Sequence, residues 1–306
     1  MRSTCWQHDI REKTLEEDIK TLGISPEEIK IEDFSIEHVP LDNRDLIKQA
    51  QEFILRYEWL GSIPQRSTNY FIARFKGVIG GVLIYTYPNS FTKKLGEYSK
   101  NHERLLARGA CAGWTPKGLA SFFIMKSVRW LAKTKDIKFF TAYSDIEAGE
   151  IGTIYQACNF YYLGNSFGSK MLYKITRKNG QEGWVNQRYF NKKRNYKKYL
   201  KELGVAWTHE WDNGTYGIAW GSIPGEIAKA MKEEGKKRMD ACEKRVPKQK
   251  HKYMYVLGKD ARDTDFFRKL VEDKLKPLER YPKRGEEPLK PVRERTVKSS
   301  NVTEVI

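Results

Sequence analysis

The chain has 306 residues, room for one large domain or two modest ones, and its 40% hydrophobic and 13% aromatic content excludes wholesale disorder. Against 39 Asp and Glu stand 56 Lys and Arg, a formal net charge of +17 that points to a polyanionic partner or substrate and says nothing of the fold. Apolar stretches such as Val78–Tyr85 fall far short of the ~20 residues a membrane helix needs. The stretch from Met1 to Asp9 holds no apolar signal core, so a cytoplasmic protein with no membrane partner is expected. Cys5, Cys111, Cys158 and Cys242 are scattered without paired Cys/His spacing, which argues for free thiols and against structural zinc.

In chain order, residues 10–32 are charge-rich and read as an exposed helical extension, with Ser25-Pro26-Glu27-Glu28 as a helix start. Asp33–Glu37 alternates as a short strand. Asn43 caps a helix whose Leu46, Ile47, Ala50, Phe53, Ile54 and Tyr57 share one face, and Gly61 and Pro64 end it. Tyr70–Phe75 and Val78–Tyr85 flank a Lys76-Gly77 turn as a hairpin. A buried strand of small residues at Arg108–Gly113, an amphipathic helix over Leu119–Lys133 and an apolar strand over Ile137–Tyr143 follow. Glu150–Cys158 reads as a short helix, and Phe160–Leu163 and Met171–Ile175 as strands. The order predicts an α/β core around one mixed sheet flanked by helices.

Past Thr176 the composition shifts. Residues 177–252 hold 19 basic and 9 acidic residues, and 191–201 hold six basic and no acidic ones, interleaved with Tyr196 and Tyr199. Glu226–Cys242 reads as a basic helix and Met254–Leu257 as a closing strand. The expected division is an N-terminal helical extension (1–32), a core (33–176), a basic helical segment with the closing strand (177–258), and a charged tail (259–306) whose last part is disordered.

Two constellations carry chemistry. In the first, Gly118-x-Ala120 opens a helix directly after a buried strand, and helix N-termini suit phosphates. The loop resembles the Q/R-x-x-G-x-G/A segment of the GNAT acyltransferase fold, which grips the pyrophosphate of acyl-CoA. That resemblance assigns Thr115, Lys117, Gly118 and Ala120 to the donor. Thr115 departs from the Gln/Arg position, and Pro116 lacks an N–H; a glycine turn before a helix is the plainer reading. In the second, Ala142-Tyr143-Ser144-Asp145 leads through Gly149-Glu150 and Gly152 to Tyr155-Gln156-Ala157-Cys158-Asn159-Phe160. Asp145 and Glu150 at a strand end suit proton transfer or metal contact, and Tyr155 stands where GNAT proteins carry a general-acid tyrosine. The plainer readings are a helix cap and a packing tyrosine.

The segment from Tyr143 to Ala157 also resembles the Mom family of phage DNA-modification proteins. Tyr57-Glu58-Trp59-Leu60-Gly61-Ser62-x-Pro64, Leu106-Ala107-Arg108, Ser121 and Lys250-His251-Lys252-Tyr253 agree with that family in order, over roughly residues 40–257. The resemblance implies a GNAT-like fold that modifies bases in DNA, adenine N6 foremost, with a carbamoylmethyl or acyl/aminoacyl-type group, to evade host restriction. Its donor would be acyl-CoA-like or derived from an amino acid. It implies Arg108, Ser121, Asp145 and Tyr155 as the functional set, and iron, with Asp145 as a ligand. Glu58-Trp59 replaces the family's His-Tyr, which makes Glu58 a candidate general base.

Double-stranded DNA is the expected partner. Arg188, Lys192, Lys193, Arg194, Lys197, Lys198, Lys250 and Lys252 would neutralise phosphates, and Trp59, Trp184 or Tyr189 would stack on a flipped base. Two other readings stay open: a GNAT acyltransferase acting on an amine of a hypermodified pyrimidine or of a protein, and a non-catalytic DNA-binding phage protein.

Overall fold

The computed structural model describes residues 5–23, 25–88, 92–165, 171–176 and 182–286. The elements, in chain order, are α1 (Trp6–Leu22), β1 (Phe34–Val39), α2 (Arg44–Tyr57), β2 (Ser67–Phe75), β3 (Val78–Thr86), α3 (Glu97–His102), β4 (Glu103–Cys111), α4 (Leu119–Lys135), β5 (Phe139–Ser144), α5 (Thr153–Ala157) and β6 (Tyr161–Asn165). There follow β7 (Leu172–Thr176), β8 (Glu182–Asn186), α6 (Lys193–Glu202), β9 (Asp212–Asn213), β10 (Gly217–Ile218), α7 (Gly225–Asp240), β11 (Lys244–Arg245), β12 (His251–Val256) and α8 (Ala261–Leu275). They form two compact units, Met1–Ser166 with Gln249–Ile306, and Phe167–Lys248.

The first unit is built on a seven-stranded mixed sheet in the order β1-β2-β3-β4-β5-β12-β6, the expected α/β architecture with helices on both faces. Successive strand residues point to opposite faces, and the core shows it. Phe140 and Tyr253 pack into the large cluster with Ile54, Phe71, Ile84, Phe123 and Val128, while their neighbours Phe139 and Met254 pack with Phe267 and Val271 of α8 on the other face. Among the described strands only β4 and β5 run parallel, joined by α4, as a parallel pair requires a crossover. Asn43 accepts from the Leu46 N–H and starts α2 as predicted.

The sheet parts in its middle. β4 pairs with β5 only from Glu103 to Leu106, although it runs on to Cys111. The separation coincides with a bulge in β4: Leu106 faces Tyr85, Arg108 faces Ile84, and Ala107 is the extra residue. The C-terminal end of β5 keeps only β12 as a partner, with Tyr143 facing Lys252 and Ser144 facing His251.

Several expectations need correction. The strand expected from Arg108 starts at Glu103, whose buried carboxylate takes hydrogen bonds from the Thr92 N–H (2.8 Å), Thr92 Oγ1 (3.0 Å) and Thr141 Oγ1 (2.6 Å). A polar Glu-Arg opening hid a strand start whose charge is satisfied by three donors. The N-terminal helix is no exposed extension. Leu15, Ile19 and Leu22 pack against the core, and buried Asp18 accepts from Tyr57 Oη (2.8 Å) and Arg56 Nη2 (2.9 Å). Pro26–Glu28 forms a single 3-10 turn. The charged tail contains α8, and beyond it Leu278 bridges to Tyr162 while Tyr281 donates to the Phe160 carbonyl. The disorder expected at its end, residues 287–306, lies outside the described residues.

The second unit packs α6 and α7 around Tyr196, Tyr199, Leu200, Trp211, Ile223 and Met231, beside a three-stranded sheet in the order β11-β7-β8. Its bounds differ from the expected 177–258, because β12 pairs with β5 and with β6 in the first sheet. His251 faces Asn165, so the chain leaves and re-enters the first unit at neighbouring strand ends, which lets a whole unit be inserted there.

Candidate active site

Three segments of the first unit deliver polar side chains to the place where β4 and β5 part. Arg108 follows the bulge of β4. Its Nε donates to the Ser62 carbonyl (2.8 Å), its Nη2 to Ser62 Oγ (3.0 Å) and its Nη1 to the Ala107 carbonyl (2.5 Å). Glu58 is the residue after α2, extended, with its N–H on the Ile54 carbonyl. Its Oε2 lies 3.6 Å from Arg108 Nε and is buried without a hydrogen-bond donor. Burial pushes the Glu58 carboxyl up to about 7; neighbouring Glu150 adds to the rise, while Arg108, the Leu60 N–H and Lys250 oppose it.

The loop after β5 supplies Asp145 and Glu150. Glu150 accepts from the Trp59 indole N–H (2.9 Å) and from the Asp145 N–H (3.1 Å). Burial raises its carboxyl as well, opposed by those two donors. Asp145 caps the turn by accepting from the Glu147 N–H (3.0 Å), and its other oxygen pairs with Lys250 Nζ at 2.8 Å. Because Glu150 closes this loop, the short helix starts only at Thr153. Gly152 precedes it at a φ of +72°, and a Cβ there would lie 2.4 Å from the Tyr253 ring, so only glycine fits. Tyr155 packs between Phe160 (5.5 Å between centroids) and Tyr253 (5.3 Å). Burial, reinforced by Glu150, Tyr85, Glu58 and Cys158, strongly raises its phenol, which keeps its proton.

The structure thus brings Glu58, Arg108, Asp145 and Tyr155 into one neighbourhood, with Trp59 and Glu150 as linkers. Ser121 Oγ turns back onto the Gly118 carbonyl (2.9 Å), and its own carbonyl accepts from Cys158 Sγ (3.8 Å), three residues beyond Tyr155. Lys250, expected at the phosphates, is the partner of Asp145. The two lie 105 positions apart, and no local pattern announces the pairing. Trp59 is held by Glu150 and by the edge of Trp6 (5.2 Å) inside this site, rather than free to stack.

The implied iron and acyl-CoA find little to hold them. Among the described residues no three His, Cys, Asp or Glu side chains converge as metal ligands, and both oxygens of Asp145 are engaged, so these donors do not make an iron site. In the loop before α4, Thr115 is buried with its Oγ1 on the Ala112 carbonyl (2.8 Å), and Leu119 N–H turns back on the Pro116 carbonyl (3.2 Å). Lys117 and Gly118 are exposed and Ala120 is half-buried, so the cradle for a pyrophosphate is reduced to backbone at Lys117, Gly118 and the first turn of α4.

The basic residues divide by helix face. On α6 the aromatic residues interleaved with charge, Tyr196 and Tyr199, are buried with Leu200 and are unavailable for stacking. Arg194, Lys197 and Lys198 are exposed on the opposite face, with Lys192 and Arg188 exposed ahead of it. Lys193 is drawn in by Asp212 (3.0 Å) and the Gly214 carbonyl (2.7 Å). Tyr189 is half-buried against Phe190 and Trp184 lies under Arg245. Lys252, in β12, is half-buried and its ammonium is lowered by burial, so it is no phosphate ligand of the ordinary exposed kind.

Among the described residues no helix is long and apolar enough to cross a membrane. No curated protein sequence is significantly similar to the chain. Similar solved structures include an IAA acetyltransferase from Bacillus cereus ATCC 14579, at 15% identity over 49% of this chain and 95% of that one, with a TM-score of 0.32. A GNAT family acetyltransferase from Elizabethkingia anophelis with acetyl-CoA bound is 12% identical over 74% and 99%, at 0.31. Spermidine N-acetyltransferase from Vibrio cholerae, in complex with CoA and spermine, is 10% identical over 51% and 97%, at 0.32. Such scores carry no weight beside the strand pairing itself, and they leave substrate and donor open. The sequence match is the decisive one: the Mom protein family spans residues 45–210, more than half of the chain and every member of the Glu58, Arg108, Asp145 and Tyr155 neighbourhood, so this chain belongs to the Mom protein family.

Proposed function

We propose that the protein is a transferase that modifies a base in double-stranded DNA, adenine N6 foremost, with a carbamoylmethyl or acyl/aminoacyl-type group, and so shields phage DNA from restriction. The observation that carries this reading is the Glu58–Arg108 pair: a buried carboxyl poised near neutrality, one oxygen without a donor, beside a fixed guanidinium. An exocyclic amine is a poor nucleophile until a base takes its proton. In the proposed step the N–C bond forms at the amine, its proton passes to Glu58, and the bond to the donor's leaving group breaks. Arg108 faces the charge that develops on the donor carbonyl, and Tyr155 protonates the leaving group. Asp145, engaged by Lys250 and the Glu147 N–H, holds the loop that carries Glu150 and Tyr155. Phe167–Lys248, with 19 Lys and Arg against 9 Asp and Glu, supplies the phosphate-binding surface.

The test is mass spectrometry of nucleosides from plasmid DNA of cells expressing the wild type, Glu58→Gln or Asp145→Asn. A new nucleoside with the wild type that disappears with Glu58→Gln is the expected result, and its mass names the group and the base. A nucleoside that persists in Glu58→Gln removes the assigned base. No new nucleoside from any form moves the acceptor to a hypermodified pyrimidine or a protein amine.

A further inference from the structure

In the second unit, Tyr216 is 89% exposed, more than any other large hydrophobic residue among those described. It sits at the tip of the hairpin formed by β9 and β10, where Asn213 faces Gly217 and Asp212 faces Ile218. The mount is stiff. Gly214 turns the chain at a φ of +64°, and a Cβ on Gly217 would lie 2.2 Å from the Asn213 carbonyl oxygen. Below the tip, Asp212 takes the Trp207 indole N–H (3.0 Å) and pairs with Lys193 (3.0 Å) and Lys197 (3.6 Å), while Lys193 also donates to the Gly214 carbonyl (2.7 Å). Buried Trp211 anchors the base of the hairpin through the Ala219 N–H (2.9 Å). Lys193 and Lys197 of α6 therefore fix the hairpin to the helix whose outer face also carries Arg194 and Lys198.

The ring has no partner within the described part of the chain: no hydrogen bond, ion pair or ring contact involves Tyr216. The tip itself offers no second apolar side chain, since its other residues are Gly214, Thr215 and Gly217. A protein interface is built around clustered apolar side chains. A lone ring, free on both faces and carried by a hairpin tied to a helix with exposed cations, suits the flat face of a nucleobase next to phosphates. We infer that Tyr216 is a base-stacking element, taking an unstacked nucleobase of DNA held along α6. This rests on the DNA reading above and gives that surface a structural preference: DNA with a base already unpaired, or easily unpaired, binds tighter than a perfect duplex.

The experiment uses the full chain and two duplexes of about 25 base pairs, one perfect and one with a central mismatch carrying 2-aminopurine. Affinity is measured over a salt series for the wild type, Tyr216→Ala, Tyr216→Trp and the double variant Arg194→Ala/Lys198→Ala. Tyr216→Ala is expected to bind the mismatched duplex about tenfold or more weakly, to lose the 2-aminopurine quench and to keep the wild-type salt slope. Tyr216→Trp restores both. The double variant weakens both duplexes alike and lowers the salt slope by roughly two. If Tyr216→Ala keeps the mismatch preference and the quench while the double variant behaves as stated, the stacking role is overturned and the DNA reading stands. If the wild type binds neither duplex, both fall. A change in self-association with Tyr216→Ala, with DNA binding intact, makes the ring a protein contact and overturns the inference too.

Discussion

Replacing Glu58 by Gln tests the proposed base through stability, without any substrate. Burial holds the folded carboxyl at about 7 against an ordinary 4.5, so the native state binds a proton more tightly than the unfolded chain does. Stability from this group is therefore complete below pH 4.5 and is lost as pH rises through 7. At pH 8 ionised Glu58 costs the native state about 3 kcal/mol, and at pH 5 under about 1 kcal/mol, at 1.36 kcal/mol per pKa unit. The side chain is only 11% exposed, so solvent screening removes little of this. Gln keeps the shape and accepts the Leu60 N–H but never ionises. Arg108 loses an ionic partner at 3.6 Å and retains Ser62 and the Ala107 carbonyl. Circular dichroism melting of both proteins from pH 5 to pH 8 is the assay. Relative to the wild type, Glu58→Gln gains roughly 2–3 kcal/mol across that range, roughly 4–12 °C in the melting of the first unit. Melting curves of the two proteins that stay parallel over that range would refute a carboxyl poised near neutrality.

The modification rate, read by nucleoside mass spectrometry, rises with pH to a plateau above 7 as Glu58 becomes the free base. Arg108→Met moves that inflection up, because Arg108 favours the ionised carboxylate, and Glu150→Gln moves it down by removing a like charge. Gly152→Ala costs about 2 kcal/mol or more in denaturant unfolding, from the positive φ and the clash with the Tyr253 ring; an unchanged midpoint would mean that this turn tolerates a side chain. Lys192→Ala and Arg194→Ala each lower the salt slope of DNA binding by about 0.9, whereas Lys252→Ala, half-buried in β12, leaves it unchanged. Asp145→Asn still accepts from the Glu147 N–H but frees Lys250, so its stability loss stays within about 1 kcal/mol by chemical unfolding.

Local chemistry was legible wherever it acts over a few residues. Helical spacing placed α2 and α4, Asn43 marked a cap, and Lys76-Gly77 marked the hairpin of β2 and β3. The motifs named Arg108, Asp145 and Tyr155, and the Glu58 departure drew attention to a carboxyl that burial pushes up to about 7. What remained hidden depends on partners far apart in the chain. The start of β4 was masked by a charged Glu103 that three distant donors satisfy, and α8 by its many, mostly exposed charges, while Phe267 and Val271 meet the sheet. The aromatics of α6 looked available because composition cannot tell the two faces of a helix apart until a core claims one of them.

By itself, then, the order of residues determined the α/β class, the net charge of +17 and most helices and hairpins, because propensity, periodicity and capping act within a turn or two. Only the tertiary structure decided which strands part, that Lys250 pairs with Asp145, and that Glu58 sits buried beside Arg108. A carboxyl becomes a base near neutral pH through the water it loses and the charges brought to it, and both arrive from segments that adjacency in sequence does not connect.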